Sequence, residues 1–432
     1  MLALVFLPAA WAETTLLENF TLIDGSGGPA VPNAALLVVD GRIQYAGPKS
    51  GVKAPAGAVR QDLTGKFVMP GIMNLHTHLG NTKGLVADPK NFTFENLNNQ
   101  LGTYAKYGVT TVVTMGSEQE LIFEARTKQR AGREPQTRIF TAYRGFTGVD
   151  GYPTKAMGMH GVPFEVSTPA QVDAAMKILA EKKVDLVKIW VDDHLGKEPK
   201  ISIDLCKAII AGATKHHLPV AAHVFYLEDA RQLVGFGLHG VAHSVRDKLV
   251  DDAFIQLMKK QGAYQIPTLT REASMFIYAN PGGLLDDPFF TKSLDPETLK
   301  TIRSAAYRKK QADDKETHLW PGFLKNAQAN LKKLYDSGVN VGFGTDTGPP
   351  SRFSGFFEHW EMELMAQAGL TPAQIIQTFS KNAAAYLGMS KDLGTLTKGH
   401  WADLVVLGKN PLDDIKNARS IETVWVAGLK AN

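Results

Sequence analysis

Cysteine is almost absent: one residue, Cys206, stands in a chain of 432. That excludes an intrachain disulfide and any zinc site built from cysteine pairs. Within "IDLCKAIIAGATKHH" it reads as a small buried position of a helix. Charge of one sign is scarce as well. With 47 Lys and Arg against 43 Asp and Glu the formal net charge is only +4, and no basic run forms the stripe of a nucleic-acid binder, so nucleic acid is not an expected partner. Also missing is an apolar stretch of the ~20 residues that a membrane-spanning helix requires. What is present, 44% hydrophobic and 21% charged residues, is the composition of a globular chain with a large core. The length suits one large domain with an appendage, or two or three ordinary ones.

Residues 1–12, "MLALVFLPAAWA", are a short apolar run closed by Ala10-Trp11-Ala12, the small-x-small pattern of a signal-peptidase site, without the basic residues that normally precede it. They read as the remainder of a secretory signal, which makes a periplasmic or secreted location the expectation and a cytoplasmic one the alternative. Residues 13–68 read as β, with a hairpin turn at Asp40-Gly41. Residues 391–432 read the same way, their strands "WADLVVLGK" and "SIETVWVAGLK" split by a turn at Asn410-Pro411. Two β segments at opposite ends can pair only if the middle folds as a closed unit, so a small β-sandwich built from both chain ends is expected.

Residues 69–390 change pattern to short apolar runs alternating with amphipathic stretches, the mark of repeated βα units. The runs are "FVMPGIMNLH", "VTTVVTM", "TRIFTAY", "VDLVKIWV", "PVAAHV", "HGVAHS", "YQIPTL" and "VNVGFGTD". Helix starts stand between them at Ser167-Thr168-Pro169 and Thr371-Pro372. Eight parallel strands with intervening helices predict an α/β chain folded as a (β/α)8, or TIM, barrel. The longest insertion, residues 270–325, is polar and Pro-rich, reads as partly helical, and would overhang the C-terminal face as a lid.

Strands covered on both faces should be apolar until their C-terminal ends, so polar residues at those ends carry information. In "VDLVKIWVD", Lys188 shares a face with Val184, Leu186 and Trp190. An unpaired ammonium there would cost several kcal/mol or lose its proton. One reading pairs it with a barrel acid such as Asp346; the other has the neutral amine add carbon dioxide and become an anionic carbamate able to bridge two cations. His76 and His78 are one residue apart and face the same way, as a rigid pair of imidazole ligands or as two hydrogen-bonded core residues. His223 and His243 lie 20 residues apart, about one βα unit. Asp346 sits in "GFGTDTG", where a turn residue would also be at home. Structural histidines have no reason to fall repeatedly at strand ends. Four histidines, a lysine and an aspartate converging there predict a two-metal site, whose cations would compensate the buried anions.

Taken together, "VMPGIMNLHTHLG", "VKIWVDD", "VAAHVF", "GVAHS", "GFGTD" and "GTLTKGHWADLVVLGKNPLDDI" resemble the amidohydrolase superfamily of metal-dependent hydrolases. "EHWEMELMAQAGLTPAQIIQTFSKNAAAYLG" is similar to its imidazolonepropionase-like and prolidase-like branch, and the likeness runs from residue 16 onward. The resemblance implies His76, His78 and Asp346 on one divalent ion and His223 and His243 on a second, zinc the first choice, with carboxylated Lys188 bridging. It further implies attack of a hydroxide on a carbonyl carbon, with Asp346 as the catalytic acid and base. Two positions depart from the prolidase-like pattern: Phe225 stands where a tyrosine is expected, with Tyr226 beside it, and Ala242 where a glutamate is expected.

The implied substrate is a small amide or peptide, a dipeptide or an N-acyl amino acid, ochratoxin-type amides included, from which a C-terminal amino acid is released. Such a substrate needs a cation for its carboxylate. Arg144, Arg246 and Arg271 follow strands three, six and seven and are the candidates, with Tyr143, His160 and Tyr226 as further contacts. An imidazolonepropionase-type single-ion hydrolase or deaminase is the alternative, which leaves Lys188 without a role. A non-catalytic relative would have lost ligands, whereas all six positions are filled. An even-numbered homo-oligomer fits this class of enzyme.

Overall fold

The computed structural model of the chain describes residues 14–431; the segment read as a residual signal, 1–12, lies outside the described residues. Eight short parallel strands form the ring: β1 (Ile72–Thr77), β2 (Val109–Thr114), β3 (Arg138–Thr141), β4 (Val187–Val191), β5 (Val220–Val224), β6 (Gly240–Ala242), β7 (Tyr264–Ile266) and β8 (Asn340–Val341). β2 pairs with β1 and β3, and β4 to β8 pair in succession. Two seams close the circle. Asp185 N donates to Thr141 O at 2.9 Å between β3 and β4, and Leu75 N donates to Phe343 O at 2.8 Å between β1 and the end of β8. Each run expected as a strand contains one of the eight, and the chain is a TIM barrel.

Why these segments are strands is visible in their burial. β1, β2, β4 and β5 are buried throughout, because helices cover the outside while side chains fill the inside. On β4, Val187, Ile189 and Val191 pack outward with Leu205 and Ile209 of the helix Ile203–Lys215. Period two therefore turns Lys188 and Trp190 inward. The same helix carries Cys206, buried, its thiol pushed up by burial to about 12 and so inert. The helices start where the sequence signals them: Thr168 and Gln171 form a capping box with proline at the first turn of Pro169–Glu181, and Thr371 and Gln374 repeat it for Pro372–Phe379.

The chain ends meet in one eight-stranded sheet. Phe67–Pro70 lies at its middle, parallel to Thr14–Leu22 and antiparallel to Leu404–Leu407. The sheet folds over on itself: the turn at Asp40-Gly41 meets the returning chain, with Ile43 N donating to His400 O and Gly399 N to Ile43 O at 2.9 and 2.8 Å. Leu17, Phe20, Leu36, Val68, Leu404 and Trp425 are enclosed. Gly71 joins sheet to barrel, and a Cβ there would stand 2.2 Å from the Thr110 side chain, so only glycine fits the passage.

The long insertion is helical: Leu269–Ser274, Pro288–Thr291, Pro296–Arg303, Ala305–Asp313 and the start of Trp320–Asp336. It lies over the strand C-termini. Tyr278 Oη donates to Ser351 O and Tyr307 Oη meets Ser351 Oγ, both at 2.7 Å, on the loop after β8. Lys197, after β4, pairs with Glu316 at 2.5 Å. Among the described residues no helix is long and apolar enough to cross a membrane.

Candidate metal centre

β1 ends in two imidazoles that address one carboxylate. His76, fully buried, and His78 place their Nε2 atoms 3.2 and 3.0 Å from Asp346 Oδ1. Asp346 Oδ2 forms an ion pair with Arg352 Nη1. Asp346 and His243 both adopt positive φ, +60° and +68°. A non-glycine residue takes that conformation only when its surroundings compel it. Here it turns two side chains out of the strand pleat and into the ring, and Asp346 N donates to His76 O at 2.8 Å to hold the turn.

The other histidines complete the wall. The His243 ring lies 4.6 Å from that of His76 and 4.2 Å from that of His223. Their far nitrogens are spoken for. His223 Nε2 is 2.7 Å from Asp192 Oδ2, and His243 Nδ1 is 2.6 Å from Thr268 Oγ1. His78 Nδ1 is 2.7 Å from Ser117 Oγ, which donates onward to Glu118 Oε1 at 3.1 Å.

These partners assign tautomers. Burial holds His223 neutral, its pKa down to about 3, so Nε2–H is given to Asp192 and the lone pair is on Nδ1. Burial opposes ionisation of Asp192, but His223, Arg246 and Arg271 outweigh it and hold the carboxylate below its usual range. Ser117 gives its own proton to Glu118 and so accepts from His78 Nδ1. The other ring nitrogen, His78 Nε2, is the one that faces Asp346 Oδ1. His243 Nε2 is buried with no hydrogen-bond partner, and His76, His243 and Asp346 offer ligand atoms all within 4.8 Å of one another. Imidazole nitrogens and a carboxylate oxygen converging on one point fit a divalent cation, and nitrogen with carboxylate oxygen suits zinc.

Lys188 lies in the same wall, fully buried, its Nζ 3.3 Å from His76 Nε2. Among the described residues no carboxylate oxygen stands within 4.0 Å of it, so the ion pair with Asp346 considered from sequence is not made. Burial brings its pKa down to about 7, against the pull of Asp346 and Glu118. Burial thus pushes the amine toward its neutral form.

The six strand-end residues thus come together, whereas the six expected substrate contacts do not join them. Tyr143 turns left-handed straight after β3, φ +59°, and sends its ring against Phe123 and its hydroxyl to Glu120 at 2.6 Å. Arg144 donates to Val162 O at 2.5 Å, and His160 is exposed beside Glu165. All three border a separate hollow. Tyr226 donates to Asp193 at 2.9 Å. Arg246 and Arg271 are buried, not solvated: they share Glu272 at 3.1 and 2.9 Å and stack on Phe225 and Trp320. Phe225, one of the departures from the prolidase-like pattern, is thereby explained as the platform beneath Arg246.

Other residues take the places around the histidines. Tyr152, Met157, Met159, Trp190 and Arg352 line a cavity with His78, His223 and Asp346. Asp192 had a signal, an acid one position beyond a barrel strand. Arg352 and Tyr152 sit in irregular loops that carry none.

A profile described as the amidohydrolase family matches residues 67–430. Ochratoxinase from Aspergillus niger is 24% identical over 96% of this chain and 86% of its own length. Imidazolonepropionase from Myxococcus xanthus is 26% identical over 87% of this chain and 84% of its own. Among solved structures, a Xaa-Pro dipeptidase with bound methionine in the active site superposes with a TM-score of 0.76 at 22% identity, covering 96% of this chain and 99% of that one.

Proposed function

The chain belongs to the amidohydrolase family and is a hydrolase of carbon–nitrogen bonds; from that premise we propose that it uses two divalent ions, zinc first among them, to release a C-terminal amino acid from a dipeptide or N-acyl amino acid. His76, His78 and Asp346 would hold one ion, and His223 through Nδ1 with His243 through Nε2 the other. Lys188, as a carbamate, would bridge them. The observation that carries this reading is Lys188 itself: fully buried among ligands, without a carboxylate partner, and pushed by burial toward the neutral amine. Addition of carbon dioxide requires the neutral amine, and a bridging anion gives the buried nitrogen a purpose.

When bound, the ions would lower the pKa of a water from about 16 to about 7 and polarise the scissile carbonyl. The protein supplies the rest. Asp346 is kept ionised by Arg352 and His76 although burial opposes it. Its Oδ2, the oxygen turned away from the imidazoles, would take the proton from the attacking water and return it to the leaving nitrogen. Asp192 and Ser117 keep His223 and His78 in the ligating tautomer, and Thr268 holds the His243 ring in place. Met157, Met159 and Trp190 would seat the acyl side and exclude water. Acyl amides of amino acids are favoured because ochratoxinase and a Xaa-Pro dipeptidase are among the proteins this chain resembles.

Metal analysis of wild type and Lys188→Ala tests this. About two ions per chain in wild type and about one in the variant are expected, with turnover lost, and a carbamate resonance on exposure to labelled carbon dioxide. One ion per chain in both proteins would remove the dinuclear reading. It would leave a single-ion hydrolase built on the close triad of His76, His243 and Asp346.

A further inference from the structure

A substrate that leaves as an amino acid carries a free carboxylate, and the three arginines expected to meet it do not reach the cavity. Arg352 does. It comes from the loop after β8, lines the cavity and is 10% exposed. Of its five N–H donors, one holds Asp346 Oδ2; among the described residues the others have no protein acceptor. The loop is fixed to aim it. Gly348 N donates to Arg352 O at 3.0 Å and Arg352 N to Pro349 O at 3.1 Å. Gly348, φ +115°, crosses so close to His78 O that a Cβ would lie 1.9 Å away. Ser351, just before it, is gripped by Tyr278 and Tyr307 of the lid.

A second donor faces the same space. The Tyr152 ring packs 5.1 Å from that of His223, and its hydroxyl has no protein partner among the described residues. Tyr152 and Arg352 line one cavity, and Arg352 acts on the phenol electrostatically. Met157, Met159, Trp190, Ala87 and Pro153 give the wall an apolar side, with Asn81, Thr82 and Ser117 as its other polar members.

We propose that Arg352, assisted by the Tyr152 hydroxyl, binds the α-carboxylate of the substrate and thereby sets the specificity for N-acyl α-amino acids with an apolar acyl group. The inference rests on the hydrolase reading above and explains a feature it leaves open, namely why an arginine touches the proton-carrying aspartate. In an N-acyl α-amino acid the carboxylate carbon is two bonds from the amide nitrogen. A guanidinium that holds Asp346 with one N–H and the carboxylate with others brings that nitrogen beside the group that must protonate it. Planar, forked and permanently charged, arginine suits this double contact better than lysine. Amides with the carboxylate one carbon further away, or neutralised, would lose the alignment.

Calorimetric titration of the zinc-loaded protein with L-phenylalanine and with L-phenylalaninamide reads the carboxylate contact without requiring turnover. Wild type is expected to prefer the acid by at least about tenfold, Arg352→Gln to bring the two within about twofold, and Arg352→Lys to fall between. Tyr152→Phe, which leaves Asp346 untouched, should cut the preference several-fold. It keeps the test valid if the arginine variants unfold. Equal binding of acid and amide by wild type, no binding of either, or an undiminished preference in Arg352→Gln and Tyr152→Phe overturns the proposal. Zinc content and turnover of carboxylate-free anilides, measured on the same samples, separate the two readings. Anilide hydrolysis without acid preference sinks the carboxylate role and leaves the hydrolase standing. Acid preference that depends on Arg352, with no amide in a dipeptide and N-acyl library hydrolysed, does the reverse.

Discussion

Asp192 illustrates what a single residue contributes at this site. Its carboxylate takes the Nε2 proton of His223, which frees Nδ1 and fixes the ring. Asp192→Ala would let the imidazole choose either tautomer and would remove one of the acids that act on Arg246 and Arg271. Partners of this kind are worth roughly 10- to 100-fold in metal affinity. Chelator competition on Asp192→Ala should show a loss in that range, and unchanged zinc retention would contradict the tautomer assignment. The residues themselves differ in how far sequence exposes them. His76, His78, Lys188, His223, His243 and Asp346 were legible because a polar side chain at the end of an apolar strand violates a strict pattern. Arg352 and Tyr152 violate nothing, since irregular loops have no period to break. Arg246 and Arg271 look like ordinary surface residues until Glu272 is seen to pair with both in the interior, a pairing that no spacing encodes.

At the level of elements, the helix Phe356–Gln367 ties the strand ends together from behind. Glu358 accepts from Asn74 Nδ2, Thr345 Oγ1 and Thr347 Oγ1 at 2.7, 2.9 and 3.0 Å, joining the chain on either side of His76 and Asp346. Glu361 accepts from the backbone N–H groups of Leu269 and Thr270 at 2.8 and 2.7 Å, beside the Thr268 that orients His243. Burial raises Glu361 to about 8 from an ordinary 4.5. The folded state thus holds a proton that the unfolded chain releases. The stability from this group is full below about pH 4.5 and is lost as pH rises through about 8, an effect of a few kcal/mol at most. Melting temperatures of wild type and Glu361→Gln from pH 6 to 9.5 isolate it. Wild type should lose stability relative to the variant across that range, and parallel curves would show that Glu361 is already ionised at neutral pH. Sequence located the eight strands because apolar runs mark them. It made the late ones too long: the sixth ends at Ala242 because His243 turns left-handed, and a backbone turn enforced by neighbours leaves no trace in composition.

The whole molecule depends on contacts between its two ends. Phe67–Pro70 has a strand from residues 14–22 on one side and Leu404–Leu407 on the other. The same C-terminal segment supplies Asp403, which receives Arg138 of β3 and the backbone N–H of Ala427 at 2.7 Å. The sheet is therefore bonded to the floor of the barrel, and the barrel brings the strands together. Sequence showed that both ends were β and had to meet; it could not show that they share one sheet, because register between segments more than 330 residues apart, Val68 facing Val406, is set by the fold between them. A chain ending at residue 402 tests whether the barrel stands alone. It would expose the edge of Phe67–Pro70 and uncover Leu17, Phe20 and Val68 of the enclosed core, an unpaired apolar strand edge of the kind that aggregates. The expected result is insoluble protein, or soluble protein digested throughout by trace protease and without retained zinc. A soluble truncated chain with native-like resistance to proteolysis and undiminished metal content would show that the barrel and the proposed metal centre fold without the sheet.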